Sequence, residues 1–184
     1  LAAAGEIMND PACAAWRAGW SDQMRTNRIQ VLIVQSGTHF VVDHVIDGAP
    51  AAAGSAALEG AVVAELDRIR AVAVGAGTQQ VQVMTMPCRR IDPNKLDPGF
   101  RQFAEPGSDD AKVAWVNGVL ARWAASHRDV VVLDLWKQLC SNGFQPTLHG
   151  VPLFHDTVHF SPPAAAMIWT WLAPASREAW RQRS

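Results

Sequence analysis

Asp156 and His159 stand three residues apart in the run Leu153-Phe154-His155-Asp156-Thr157-Val158-His159-Phe160-Ser161-Pro162. A carboxylate at that spacing can bond one ring nitrogen of an imidazole and leave the other free to take a proton from a nucleophile. Spacing alone leaves a second reading open, in which Asp156 only caps the helix expected after Pro162 and His159 stands beside it by chance. Other chemistry-bearing residues are Ser36, Gly37 and His39 in Val34-Gln35-Ser36-Gly37-Thr38-His39, and the three cysteines Cys13, Cys88 and Cys140. The cysteine spacing matches no zinc site. Ser36 lies on a strand-to-loop turn without the Gly-x-Ser-x-Gly pattern of a strained nucleophile elbow.

Elements that could position these groups follow from the hydrophobic pattern. Asp10 and Pro11 open a first helix that carries Cys13, Trp16, Trp20 and Met24 at helical spacing. Ile29 to Val34 is a nearly unbroken aliphatic run, the pattern of a buried parallel strand. Ser55 caps a helix over 56–73, with Leu58, Val62, Val63, Leu66 and Ile69 on one face. Further strands are expected at 81–86 and 130–135, a third helix at 108–126, and a last helix from Pro162 to about 181. Residues 88–107 read as a polar surface loop. Helices alternating with aliphatic strands predict an α/β protein with a parallel sheet wrapped by helices. In such sheets functional groups collect at the C-terminal ends of the strands. The segments 36–39 and 87–90 and the run after Leu135 fall there, and the Asp156/His159 loop can fold over the same edge.

Composition narrows the classes. At 184 residues, 49% hydrophobic, the chain suits one folded domain over 1–184 and argues against disorder. A net charge of −1 with scattered Lys and Arg leaves no basic footprint for nucleic acid. No apolar run approaches the length needed to span a bilayer. The first residues lack the basic start and apolar core of a signal peptide, and the chain reads as part of a longer protein. Eight Trp and no Tyr carry no specific chemistry.

The 153–162 run resembles block V of the SGNH, or GDSL-type, hydrolases, and most of all the SGNH domains fused to membrane acyltransferases of family 3. Cys13-Ala14-Ala15-Trp16 before a strand, Gly37 at a strand end followed by an Asp47-Gly48 loop, and Val132-Leu133-Asp134-Leu135 with Cys140 after it agree with that subgroup in order. The resemblance implies a three-layer parallel sheet flanked by helices (SGNH/flavodoxin-like), lacking its first strands. It implies acyl transfer or ester hydrolysis on hydroxyl groups of envelope glycans, with an acyl donor, a glycan acceptor and no metal or cofactor. His159 would be the base and Asp156 its orienting acid; Gly37, Ser36 and His39 would line the oxyanion and substrate site. It also implies an extracytoplasmic location beside a membrane acyltransferase domain of the same protein.

Departures from the family pattern matter as much. No Gly-Asp-Ser occurs, so the serine nucleophile is expected upstream of Leu1, with the strand that bears it. That strand would complement the exposed edge left in the sheet, which is otherwise an aggregation hazard. Thr38-His39-Phe40 replaces the Asn of the family's third block. Two alternatives stand beside the enzyme: a degenerate domain that binds a glycan or partner through its Trp residues and the 88–107 loop, and a hydrolase that uses Ser36. Finally, Cys88 and Cys140 each follow a strand end, and adjacent parallel strands bring such ends together, so a Cys88–Cys140 disulfide is predicted. A Cα–Cα distance above about 7 Å would rule it out. Such a bridge fits an oxidising compartment, and Cys13 would then find its partner in the upstream segment.

Overall fold

The computed structural model describes residues 11–35 and 37–182, the side chains of residues 11–18 aside. Three parallel strands, β1 (Val31–Gln35), β4 (Gln80–Met84) and β5 (Val130–Leu133), form a sheet in the order β1-β4-β5. Two short hairpins lie outside it: β2 (His44–Ile46) with β3 (Ala49–Ala51), and β6 (Thr147–Leu148) with β7 (Val151–Pro152). Helices α1 (Pro11–Thr26), α2 (Ala56–Gly75), α3 (Ala104–Ser108), α4 (Asp110–Ala125), α5 (Leu135–Cys140) and α6 (Pro162–Arg181) complete the chain. The expected α/β class and the three main strands are therefore present.

The period of two along each strand sorts the core into two faces. Val81 and Val83 of β4 join Met24 of α1, Leu58, Val62 and Leu66 of α2, and Val116, Leu120 and Trp123 of α4. Met84 and Leu133 face the other way, onto Leu135 and Leu139 of α5 and Ala164, Ile168 and Leu172 of α6. The result is three layers, helices on both sides of the sheet.

Central strand β4 is buried along its whole length, which puts Gln80 and Gln82 in the interior. Buried amides need partners. Gln80 Nε2 donates to the Ala179 carbonyl at 3.1 Å, and Gln82 Nε2 donates to Ser176 O at 3.0 Å and Gln80 Oε1 at 2.6 Å. These bonds anchor the C-terminal half of α6 to the sheet. β1 is only half-buried and pairs with β4 alone among the described residues, so its outer edge is open.

Helix starts reflect local chemistry. Ser55 Oγ accepts from Leu58 N, Asp109 Oδ1 from Ala111 N and Lys112 N, and Ser161 Oγ from Ala164 N, each satisfying an otherwise orphaned first-turn amide. Asp134 caps α5 by accepting from Lys137 N, and it also accepts from Thr85 Oγ1, which ties α5 to the end of β4.

The region 88–107 is more structured than a surface loop. It folds as two 3-10 turns, Pro93–Lys95 and Pro98–Phe103, followed by α3. Asp92 Oδ1 accepts from Asn94 N at 2.9 Å and Ser108 Oγ from Ile91 N at 2.8 Å, so side chains replace the backbone pairing a strand would provide. At its start the Cys88–Cys140 disulfide is formed, with a Cα–Cα distance of 5.9 Å across a sequence separation of 52 residues. Parallel β4 and β5 bring these strand ends side by side, as their register requires.

Candidate active site

The loop carrying Asp156 and His159 is a small closed device. Leu153 is buried at its base, its N–H donates to Pro146 O at 2.9 Å, and its carbonyl accepts from Ser161 N at 2.9 Å. Phe154 and Phe160 form an antiparallel bridge with rings stacked 5.1 Å apart. Between them the chain turns through Asp156, whose Oδ1 accepts from Val158 N at 3.0 Å and His159 N at 2.7 Å. An Asp side chain bonding its own backbone two and three residues on is what lets so short a segment reverse. Thr157 at the tip has φ +73°, a conformation a β-branched residue seldom takes. Its Oγ1 accepts from Asp92 N at 3.1 Å and fastens the loop to the segment after β4.

The other carboxylate oxygen, Oδ2, lies 2.6 Å from His159 Nδ1. With that proton held on Nδ1, the neutral ring presents an unprotonated Nε2. Nε2 makes no hydrogen bond to any described residue, and the His159 side chain is 73% exposed. Desolvation would raise the Asp156 pKa. The bonds from His159 Nδ1 and from the two backbone amides, with the His159 charge, outweigh it and hold the carboxyl well below the usual carboxylate range. Asp156 is thus ionised at neutral pH. His155 stands alongside, its Nε2 3.5 Å from Asp156 Oδ2 and its Nδ1 3.2 Å from the His159 carbonyl.

Asp156 and His159 open onto a cleft of about 490 Å³ whose opposite wall carries Thr38, His39 and His44. His39 comes from the 3-10 turn Thr38–Val41 that lies just past β1. Enclosure by surrounding protein, then the neighbouring His44, lower its pKa and keep the ring neutral. His44 Nε2 lies 2.7 Å from the His39 carbonyl. Gly37 precedes the turn in extended backbone, and a Cβ placed on it would sit 2.7 Å from His39 Nδ1, so the glycine makes room for that ring. Of the residues singled out in sequence, His39, Asp156 and His159 therefore share one cleft, with Gly37 beside it. Ser36 lies outside the described residues, as do the side chains of Cys13 and Trp16.

Sequence pattern did not mark several neighbours. His44 carried no recognisable constellation, and Ile91, Leu96, Phe100 and Phe103 lay in what read as a polar loop, yet all line the cleft. Arg89 is the other omission. It is 6% exposed, its Nε has no partner, and its guanidinium lies 5.9 Å from the centre of the Phe154 ring. Burial lowers its pKa to about 10, with the Asp156 charge opposing. Its place just past the end of β4 was the available signal, since strand ends of open α/β sheets carry functional groups. Among the described residues no group of three or more His, Cys, Asp or Glu could hold a metal ion, and no helix is long and apolar enough to cross a membrane.

A search of curated proteins finds no match. The family model for the SGNH domain (fused to AT3 domains) matches residues 4–173, which takes in the sheet, the cleft and the Asp156/His159 loop. That family is of the hydrolase and acyl-transfer type, and its fusion to AT3 domains supports a membrane acyltransferase domain in the same protein. On the match over most of its length, the chain belongs to the family of SGNH domains fused to AT3 domains.

Proposed function

We propose that this domain carries out acyl transfer or ester hydrolysis on hydroxyl groups of envelope glycans, outside the cytosol, with Asp156 and His159 as its acid/base pair. The observation that carries the proposal is the 2.6 Å contact from Asp156 Oδ2 to His159 Nδ1, with His159 on the lining of the cleft. A serine hydroxyl from outside these 184 residues attacks the acyl carbonyl carbon while Nε2 takes its proton. The intermediate collapses to an acyl-serine as His159 returns that proton to the leaving group. An acceptor hydroxyl, or water, then attacks the acyl-serine and gives up its proton to His159 in turn. Asp156 steadies the imidazolium at both steps. Backbone amides near Gly37 serve the oxyanion, a contribution of about 3 kcal/mol per donor. The open edge of β1 supports an additional strand there, the one that would bring the serine to the sheet end.

A binding role is favoured by one observation, the lack of any described hydroxyl bonded to Nε2. Turnover of p-nitrophenyl acetate by the full-length protein separates the readings. Activity that survives Ser36→Ala and disappears with His159→Ala is expected. Loss with Ser36→Ala would make Ser36 the nucleophile, and no turnover at all would leave a glycan- or partner-binding domain.

A further inference from the structure

The cleft beside the dyad is much larger than an acetyl group requires. Its volume of about 490 Å³ falls in the range of sites that enclose whole small molecules. The apolar lining is Val42, Ile91, Leu96, Phe100, Phe103 and, on the dyad loop itself, Val158. The polar side chains on its lining are Thr38, His39, Lys95 and Asp97, besides His44 and the dyad. His44 Nε2 is engaged by the His39 carbonyl, and the Asp156 oxygens already meet Val158 N, His159 N and His159 Nδ1. A sugar ring against the apolar part of the wall would exchange water for surfaces that cannot bond its hydroxyls, which is costly. A hydrocarbon would lose only its ordered water. Phe100, 47% exposed at the cleft, is one of few large apolar side chains open to solvent among the described residues, and a chain entering the cleft would cover it.

The wall is also held in place. Asp92 N bonds Thr157 Oγ1 on the dyad loop, Ile91 N bonds Ser108 Oγ, and the Ile91 side chain packs into the space left by Gly107, where an added Cβ would stand 2.6 Å from Ile91 Cδ1. Preformed apolar surfaces of this kind favour a ligand that needs no compensating hydrogen bonds.

We infer that this cleft is an acyl-chain site, which selects esters whose acyl group is a hydrocarbon longer than acetyl and leaves the glycan acceptor to the polar rim near Lys95 and Asp97. This rests on the acyl-transfer reading above for its place in the reaction, but the apolar site can be tested without turnover. For the full-length protein, kcat/KM is compared for p-nitrophenyl acetate, butyrate, hexanoate and octanoate. A rise of up to about fourfold per methylene is expected until the cleft is full. Leu96→Trp, which fills the cleft, should lower the hexanoate rate at least tenfold more than the acetate rate. Phe100→Ala should flatten the slope and serves if the Trp variant does not fold. In parallel, binding of ethanol, butanol, hexanol and octanol is measured by titration calorimetry.

A flat or falling ester series in an active protein overturns the inference, as does a slope that neither variant changes. If no ester is hydrolysed, the catalytic reading fails, and the alcohols decide this one alone. Affinity that rises with chain length and drops in Leu96→Trp upholds the site. Affinity independent of length, or displacement of hexanol by N-acetylglucosamine, overturns it.

Discussion

Replacing Asp156 by Asn is the sharpest test of the dyad, because the change keeps the turn and reverses the proton. Oδ1 of the amide still accepts from Val158 N and His159 N, so the loop closes as before. The atom that faces His159 Nδ1 becomes an NH2 group, which donates. Nδ1 must then accept, and the ring proton moves to Nε2, the atom that has to receive the nucleophile's proton. Two penalties add. The carboxylate–imidazolium attraction is worth about 4 kcal/mol at an effective dielectric of about 20 and about 1 kcal/mol in bulk water. With side chains 33% and 73% exposed, the pair lies toward the watery end, at about 1–2 kcal/mol. The wrong tautomer adds the larger part; in a buried Ser-His-Asp triad the same exchange costs about 10⁴-fold in kcat. Greater exposure brings the expected loss here to about 10³-fold in kcat/KM, or about 4 kcal/mol. The assay is steady-state hydrolysis of p-nitrophenyl butyrate by the full-length protein, beside a thermal unfolding curve. A loss below tenfold with an unchanged unfolding midpoint would reduce Asp156 to a turn-forming residue and sink the acid/base assignment.

Stability should respond to the same geometry in two ways. The Asp156 pKa is lower in the folded protein than in the unfolded chain, so its contribution is fully present above about pH 4 and fades as pH falls toward the folded value. The gap in unfolding midpoint between the native protein and Asp156→Asn should accordingly be full above about pH 4 and shrink as pH falls below it; a gap undiminished well below that pH contradicts the hydrogen-bond geometry. The Cys88–Cys140 bridge closes a loop of 52 residues in sequence separation, worth about 4 kcal/mol in the chain-entropy model. Reduction, or the double change Cys88→Ala and Cys140→Ala, should cost about 2–4 kcal/mol in denaturant unfolding, whereas a cost below about 0.5 kcal/mol would show that the unfolded chain is not restrained by the bridge.

The features legible in the chain alone were those that depend on near neighbours. The unbroken aliphatic runs at 31–34 and 130–133 marked buried strands because a strand covered by helices on both faces needs apolar residues on both. Ser55 marked a helix start because its oxygen reaches an amide only three residues away. The dyad was legible for the same reason, since Asp156 meets His159 within one turn of backbone. Even the disulfide could be inferred from strand order, as parallel neighbours align the ends after which Cys88 and Cys140 stand.

Only the folded chain decided what lies around the dyad. The 88–107 segment looked polar, and Ile91, Leu96, Phe100 and Phe103 are too irregularly spaced among prolines to show a helical or strand period. Tertiary bonds such as Asp92 N to Thr157 Oγ1 and Ile91 N to Ser108 Oγ bend that segment into a wall. His44 shares the dyad's cleft across more than a hundred residues of sequence, a distance no local pattern spans. Gln82 and Arg89 are buried, because positions within the central strand and just past its end have no solvent to face. The sequence by itself determined that Asp156 and His159 can pair, since they stand three residues apart. Tertiary structure decided which surfaces meet there, and so the shape and polarity of the cleft that faces it.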